Sequence, residues 1–151
     1  MARFSCNDID GLVLSLEEVS ELPGDVVDNM LLAGAEVIKK AHIASINRHF
    51  DKHTAKLIGS PRVFLKTGVG KYGHAARERF ALIYPEGEHH IYHAKTGDGV
   101  ARNADVGFVQ EFGGHGNNAV GWMREANDLS ADAMASAEEK VYDAWLKSKN
   151  L

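Results

Sequence analysis

A single cysteine, Cys6, and only three prolines occur among 151 residues. One thiol excludes an intrachain disulfide and a cysteine-rich zinc site, so the chain must fold on apolar packing and hydrogen bonds. Long hydrophobic runs are missing too, and none approaches the ~18 residues that a membrane span requires. Met1 to Asp10 lacks the basic stretch followed by an apolar one that marks a signal peptide, so a protein that stays in the cytosol where it is made is expected. Repeats and low-complexity tracts are likewise absent from the sequence. What remains, 44% hydrophobic and 25% charged residues, is ordinary globular usage at the size of one domain, 1–151.

The net charge of −4 hides a segregation along the chain. Residues 1–36 hold eight acids and one base, residues 37–79 ten bases and two acids, and residues 80–151 six bases and eleven acids. The basic middle, with Lys39, Lys40, Arg48, Lys52, Lys56, Arg62, Lys66, Lys71, Arg77 and Arg79, either folds against its own acidic flanks or meets phosphate or an acidic surface of another subunit. No aromatic residues interleave its bases as a single-strand binder needs, and no recognition-helix motif is apparent.

Two long helices frame the chain. From Pro23 to about Phe50 the residues Val26, Met30, Ala33, Val37, Ala41 and Ala44 recur at three- and four-residue steps, widened by Leu31, Ile38 and Ile46. Pro23 suits a first helical position, while Asp25 or Asp28 and Arg48 suit the two poles of the helix dipole. Ser130 reads as the N-cap of a second helix running to about Lys147, with Leu129 and Met134 spaced as a hydrophobic staple. Ile9 to Leu22 reads as a shorter amphipathic helix closed off by Pro23 and Gly24.

Between the helices the period shortens. Val63 to Lys66, Phe80 to Tyr84 and His89 to His93 read as strands, the last two joined as a hairpin through the turn-like Pro85 to Glu88. Asp105 to Phe112 is apolar and fits either a strand or a short helix. Thr67 to Gly73, Thr96 to Val100 and Gly113 to Gly116 are glycine-rich and read as exposed loops, mobile or held by a partner. The order of elements predicts an α+β fold: a small antiparallel β-sheet packed against a long N-terminal helix and a C-terminal helix.

Signals for chemistry are weak. Gly68 to Gly73 matches G-x-G-x-x-G, but a dinucleotide site needs a helix opening there with ten or more residues before the next strand, and only His74 to Arg79 is available. The P-loop pattern is absent. On a strand, His89 and His93 would lie ~13 Å apart on one face with His90 on the other, so they cannot converge on one ion. His49 and His53 have helical i, i+4 spacing yet straddle the expected helix end and lack a third ligand, and His42 reads as a partly buried residue of the long helix. With no nucleophile elbow, no H-E-x-x-H and no carboxylate pair in a recognisable setting, we expect a protein that is not an enzyme, with no catalytic residue, cofactor or metal.

Phe112 and Trp122 are large apolar groups bracketing a glycine run, suited either to the core or to anchoring a loop against a neighbour. Glu111 beside them has Arg124 as a candidate ion-pair partner.

Three segments in fixed order resemble one family. His53-Thr54-Ala55-Lys56-Leu57-Ile58-Gly59-Ser60 is similar to the T-G-x-L-x-x-S stretch that follows the long helix in tail-completion proteins of tailed phages, the group that includes minor tail protein Z. Val109-Gln110-Glu111-Phe112-Gly113 resembles the family's V-x-E-[FY]-G-T, and Trp122-Met123-Arg124-Glu125-Ala126 its P-F-[LM]-R-P-A. Ala55 stands where glycine is usual, Gly114 replaces threonine, and Gly121 and Glu125 replace prolines. The resemblance implies a virion structural protein for tail completion or head-to-tail joining. It would assemble as a ring with the six-fold symmetry of the tail, where the tail meets the head connector. Implied partners are further copies of itself, the tail-tube or tail-terminator protein and the head connector or stopper protein, with no membrane and no sequence-specific nucleic acid. Its place would be the virion, and the host cytoplasm during assembly. The interface candidates are Glu111, Phe112, Gly113, Trp122, Arg124, Thr54 and Leu57. A minor capsid or tail-terminator subunit is the nearer alternative, and a small metal-dependent hydrolase the more distant one.

Overall fold

The computed structural model describes residues 22–69, 77–93 and 97–149. Cys6, the stretch from Ile9 to Glu21 and the glycine-motif residues 70–73 lie outside them. The chain forms α1 (Gly24–His49), α2 (Lys52–Ile58), β1 (Pro61–Val69), β2 (Arg77–Pro85), β3 (Glu88–His93), β4 (Gly97–Arg102), α3 (Asn103–Phe112) and α4 (Trp122–Ser148). The fold is α+β, with small antiparallel sheets beside two long helices.

Helix α1 has 26 residues and α4 has 27, so each runs about 40 Å at ~1.5 Å per residue. They lie antiparallel, because Ser45 reaches Trp122, His42 reaches Asn127 and Gly34 comes up against Glu138. Gly34 is buried on α1, and a Cβ there would press on the Glu138 side chain of α4. The core gathers at one end of this pair. Ile46 of α1, Ile58 of α2 and Trp122 of α4 are buried together, with Phe50, Ala55, Val106 and Met123 packed around them.

Helix α1 spans nearly the stretch the sequence predicts, and it stops at Phe50, whose extended backbone leads into Asp51. Asp51 then caps α2, its carboxylate accepting the Thr54 amide at 2.7 Å. His49 and His53 therefore sit on different helices.

Helix α4 begins eight residues before the predicted Ser130. Ser130 is buried inside the helix, and its hydroxyl donates back to the Ala126 carbonyl at 2.7 Å. That bond satisfies the hydroxyl without breaking the helix. Leu129 and Met134 both lie within α4 and form no staple at its start.

Strand pairing also departs from expectation. β2 pairs with β1, Phe64 opposite Leu82 and Lys66 opposite Phe80, whereas β3 pairs with β4. The strands β2 and β3 are thus consecutive without forming a hairpin. Asn103 explains why: its side-chain amide donates to the Glu86 carbonyl and its backbone N–H to the Gly87 carbonyl, so the link between the strands is bound to the start of α3. Gly97 to Val100, expected as loop, forms most of β4, and Thr67 to Val69 ends β1. Glycine is poor in strands, and here the pairing with β3 overrides that preference.

Candidate functional site

Asn103 to Phe112 is helical, and its last turn carries the candidate site. Gly113 ends α3 at φ 82°, donating its N–H to the Val109 carbonyl at 2.8 Å. A Cβ there would lie 3.0 Å from the backbone nitrogen of Ala119, so both the conformation and the space call for glycine.

The chain then turns back on itself. Gly114 and Asn117 form a bridge, Val120 N–H donates to the Gln110 carbonyl and Gly121 N–H to the Glu111 carbonyl. The Gly113 to Gly116 run, expected as an exposed loop either mobile or held by a partner, is closed by the chain's own hydrogen bonds. Gly121, at φ 70°, sets the direction in which α4 starts.

Glu111 is only 6% exposed, yet it makes no ion pair with Arg124. Its carboxylate accepts the backbone amides of Met123 at 2.6 Å and Arg124 at 3.2 Å. These amides belong to the first turn of α4, where N–H groups have no partner inside the helix. A carboxylate from α3 thus caps α4, and its charge faces the positive end of the helix dipole. The arrangement joins the Val109–Gly113 segment to the Trp122–Ala126 segment. Sequence reasoning chose Glu111 but not its partners, because backbone amides carry no residue signature.

Trp122 is fully buried. Its indole N–H donates to the Gly107 carbonyl at 3.1 Å, and His42 meets its ring edge-on with centroids 5.4 Å apart. It is a core residue rather than an interface anchor. Phe112 is the reverse: 72% exposed, stacked on Phe108 with centroids 6.1 Å apart. Together with Val120, Gly121, Met123, Arg124 and Asp128 it lines an open groove of about 550 Å³ between the end of α3 and the start of α4. Arg124 is exposed in that groove. Thr54 and Leu57 lie on α2 and do not line it.

Two further contacts lock the same corner. Glu125 accepts from Arg48 and His49 at the end of α1, and its carboxyl is held below the usual carboxylate range by the His49 hydrogen bond first, with the Arg48 guanidinium adding to it. His42 is buried with its Nε2 2.9 Å from the Asn127 side-chain oxygen, and burial pushes its pKa below 6.5 despite that bond and the Glu111 charge. Neither pairing is visible in the sequence, since the partners are more than seventy residues apart.

The basic segment is partly answered from within. Lys39 pairs with Glu36, Arg48 with Glu125, Arg62 with Glu86 and Arg79 with Asp28. Lys40, Lys52, Lys56 and Lys66 have no ion pair among the described residues. His89 bonds Asn103 at 2.9 Å, and no group of three potential metal ligands comes together among the described residues. Nor, among them, is any helix long and apolar enough to cross a membrane. In comparisons with known proteins, no family model, curated protein or solved structure matches the chain.

Proposed function

We propose that the chain is a virion structural protein of a tailed phage or prophage, a tail-completion or head-to-tail joining subunit that acts by packing against copies of itself. The observation that carries this reading is the Glu111 junction. The two segments that resemble the family's V-x-E-[FY]-G-T and P-F-[LM]-R-P-A elements are hydrogen-bonded to one another, and the aromatic residue of the first, Phe112, faces solvent. A surface aromatic on a rigid turn suits an interface, because little side-chain freedom is lost when it is covered.

On this reading the copies form a ring at the head-proximal end of the tail, six-fold to match it. Its neighbours are the tail-tube or terminator protein on one side and the connector or stopper on the other. It acts as an assembly part and not as an enzyme, in the host cytoplasm during assembly and then in the virion.

The test is mass in solution together with electron micrographs of the purified protein across a concentration series. Closed rings of uniform subunit number are expected. A protein that stays monomeric to millimolar concentration would falsify the self-assembly reading.

A further inference from the structure

Polar contacts tie the first turns of α4 to the last turns of α1, and a histidine takes part in two of them. Nearest the end of α1, Glu125 takes Arg48 and His49. Next, the Ser45 hydroxyl donates to the Trp122 carbonyl at 2.9 Å. Deepest is His42, 3% exposed, with Nε2 on the Asn127 side-chain oxygen and its ring edge-on to Trp122. An amide oxygen only accepts, so in the neutral ring Nε2 carries the proton and Nδ1 keeps a lone pair. Nδ1 is buried and has no hydrogen-bond partner among the described residues. A second proton would go there, placing a charge and an unanswered N–H between two packed helices.

The charged groups around the ring give it little relief. On α1, Lys39 is paired with Glu36, while Arg48 and His49 are paired with Glu125 of α4. Arg79, from the β1–β2 sheet, pairs with Asp28 fourteen residues back along α1. Arg124 and Asp128 of α4 line the groove. Glu111 of α3 favours the protonated ring by its charge, but both its oxygens are held by the α4 amides. Burial outweighs that charge.

We propose that His42 is an acid-operated latch at the corner where α1, α3 and α4 meet: neutral, it clasps Asn127 and Trp122, and protonated, it leaves them and loosens the start of α4 while the rest of the fold stands. The other ties explain why the change stays local. The Ser45 and Trp122 hydrogen bonds do not titrate, and the Glu125 carboxyl, held below the usual range, keeps its charge on mild acidification. Asn127 and Met123 line the groove that carries Phe112, so the latch governs how firmly that groove is held. It needs no second copy of the chain and stands apart from the self-assembly reading. The latch is fully fastened above about pH 6.5, and each unit by which the folded ring's pKa lies under that value favours opening about tenfold once pH has fallen past it.

Trp122 reports the event, because the chain has two tryptophans and Trp145→Phe leaves it as the single emitter. In that full-length variant, lowering pH from about 7.5 to about 5 should shift the Trp122 emission reversibly to longer wavelength, before the far-UV circular dichroism changes. Amide exchange at Met123 and Arg124 should accelerate about tenfold or more over the same range. His42→Gln, which keeps a donor for Asn127 and cannot charge, should abolish both responses, and His49→Gln should keep them. The His42 ring resonance, followed by NMR with histidine at position 42, should titrate with the midpoint of the emission change, a check that needs no substitution there. Emission that stays fixed until the circular dichroism collapses overturns the local opening. An undiminished response in folded His42→Gln, or a His42 midpoint apart from that of the emission, assigns the acid response to another group and overturns the latch.

Discussion

Glu111 and Phe112 are adjacent, and one is buried while the other is exposed. The reason is helical: one residue is a step of about 100°, enough to turn a side chain from the α4 amides out to solvent. Replacing Glu111 with alanine would leave two amides at a half-buried helix start without an acceptor, and a loss of about 2–4 kcal/mol is expected in urea unfolding. Glu111→Gln, which keeps one acceptor oxygen, should lose roughly half of that. Phe112→Ala should change the same measurement by no more than about 0.5 kcal/mol, because its side chain is largely solvated already. His42 gives a residue-scale dependence on pH. Its folded pKa lies below the 6.5 of the free side chain, so the unfolded chain binds the proton more readily. Stability is therefore full above about pH 6.5 and declines as pH falls through the folded value. Unfolding curves at pH 7.5 and 5.5 should differ in that direction, and His42→Gln should flatten the difference. An equal slope in the variant would show that another group governs the limb.

At the scale of elements, legibility followed how local each signal is. Helix α1 was readable to within a residue or so, because its period continues through Ala44 and Ile46 until Phe50 extends. The start of α4 was not. Its cap comes from Glu111, ten residues before Gly121 and on another helix, so the sequence offers Ser130 as a plausible cap where no cap is needed. The β2–β3 hairpin failed for a similar reason: Asn103, far beyond the turn, binds the carbonyls of Glu86 and Gly87. Gly97 and Gly99 concealed β4, whose ladder is formed with β3. Of the candidate site, Glu111, Phe112, Gly113 and Arg124 gather at one junction. Trp122 instead serves the core, and Thr54 and Leu57 stay on α2. The junction's dependence on glycine is testable at Gly113, where φ is 82° and the Ala119 backbone is 3.0 Å from a would-be Cβ. Gly113→Ala should cost about 1–2 kcal/mol in the same unfolding assay, more than an exposed helical site would. A neutral result would mean that the turn relaxes around the added methyl.

For the whole molecule, the charge segregation is the feature that salt can interrogate. Four bases of residues 37–79 are paired with acids of the same chain, at Glu36, Glu125, Glu86 and Asp28. Those exposed pairs are individually worth only ~0.2–1 kcal/mol, so raising salt should leave the fold nearly intact. Lys40, Lys52, Lys56 and Lys66 remain for a partner. If they meet a neighbouring copy, where Asp128, Asp132, Glu139 and Asp143 lie within about 60° of arc along α4, added salt should weaken self-association modestly. If they face DNA in a ring lumen, duplex binding should fall steeply with salt, because each neutralised phosphate releases condensed counterions. The first outcome is expected, since acids outnumber bases, 21 to 17, and the lysines lack interleaved aromatics. Two titrations against salt on one sample separate the cases, one following oligomer mass and one following duplex binding. Tight DNA binding that vanishes with salt, beside an oligomer indifferent to it, would assign the lysines to nucleic acid.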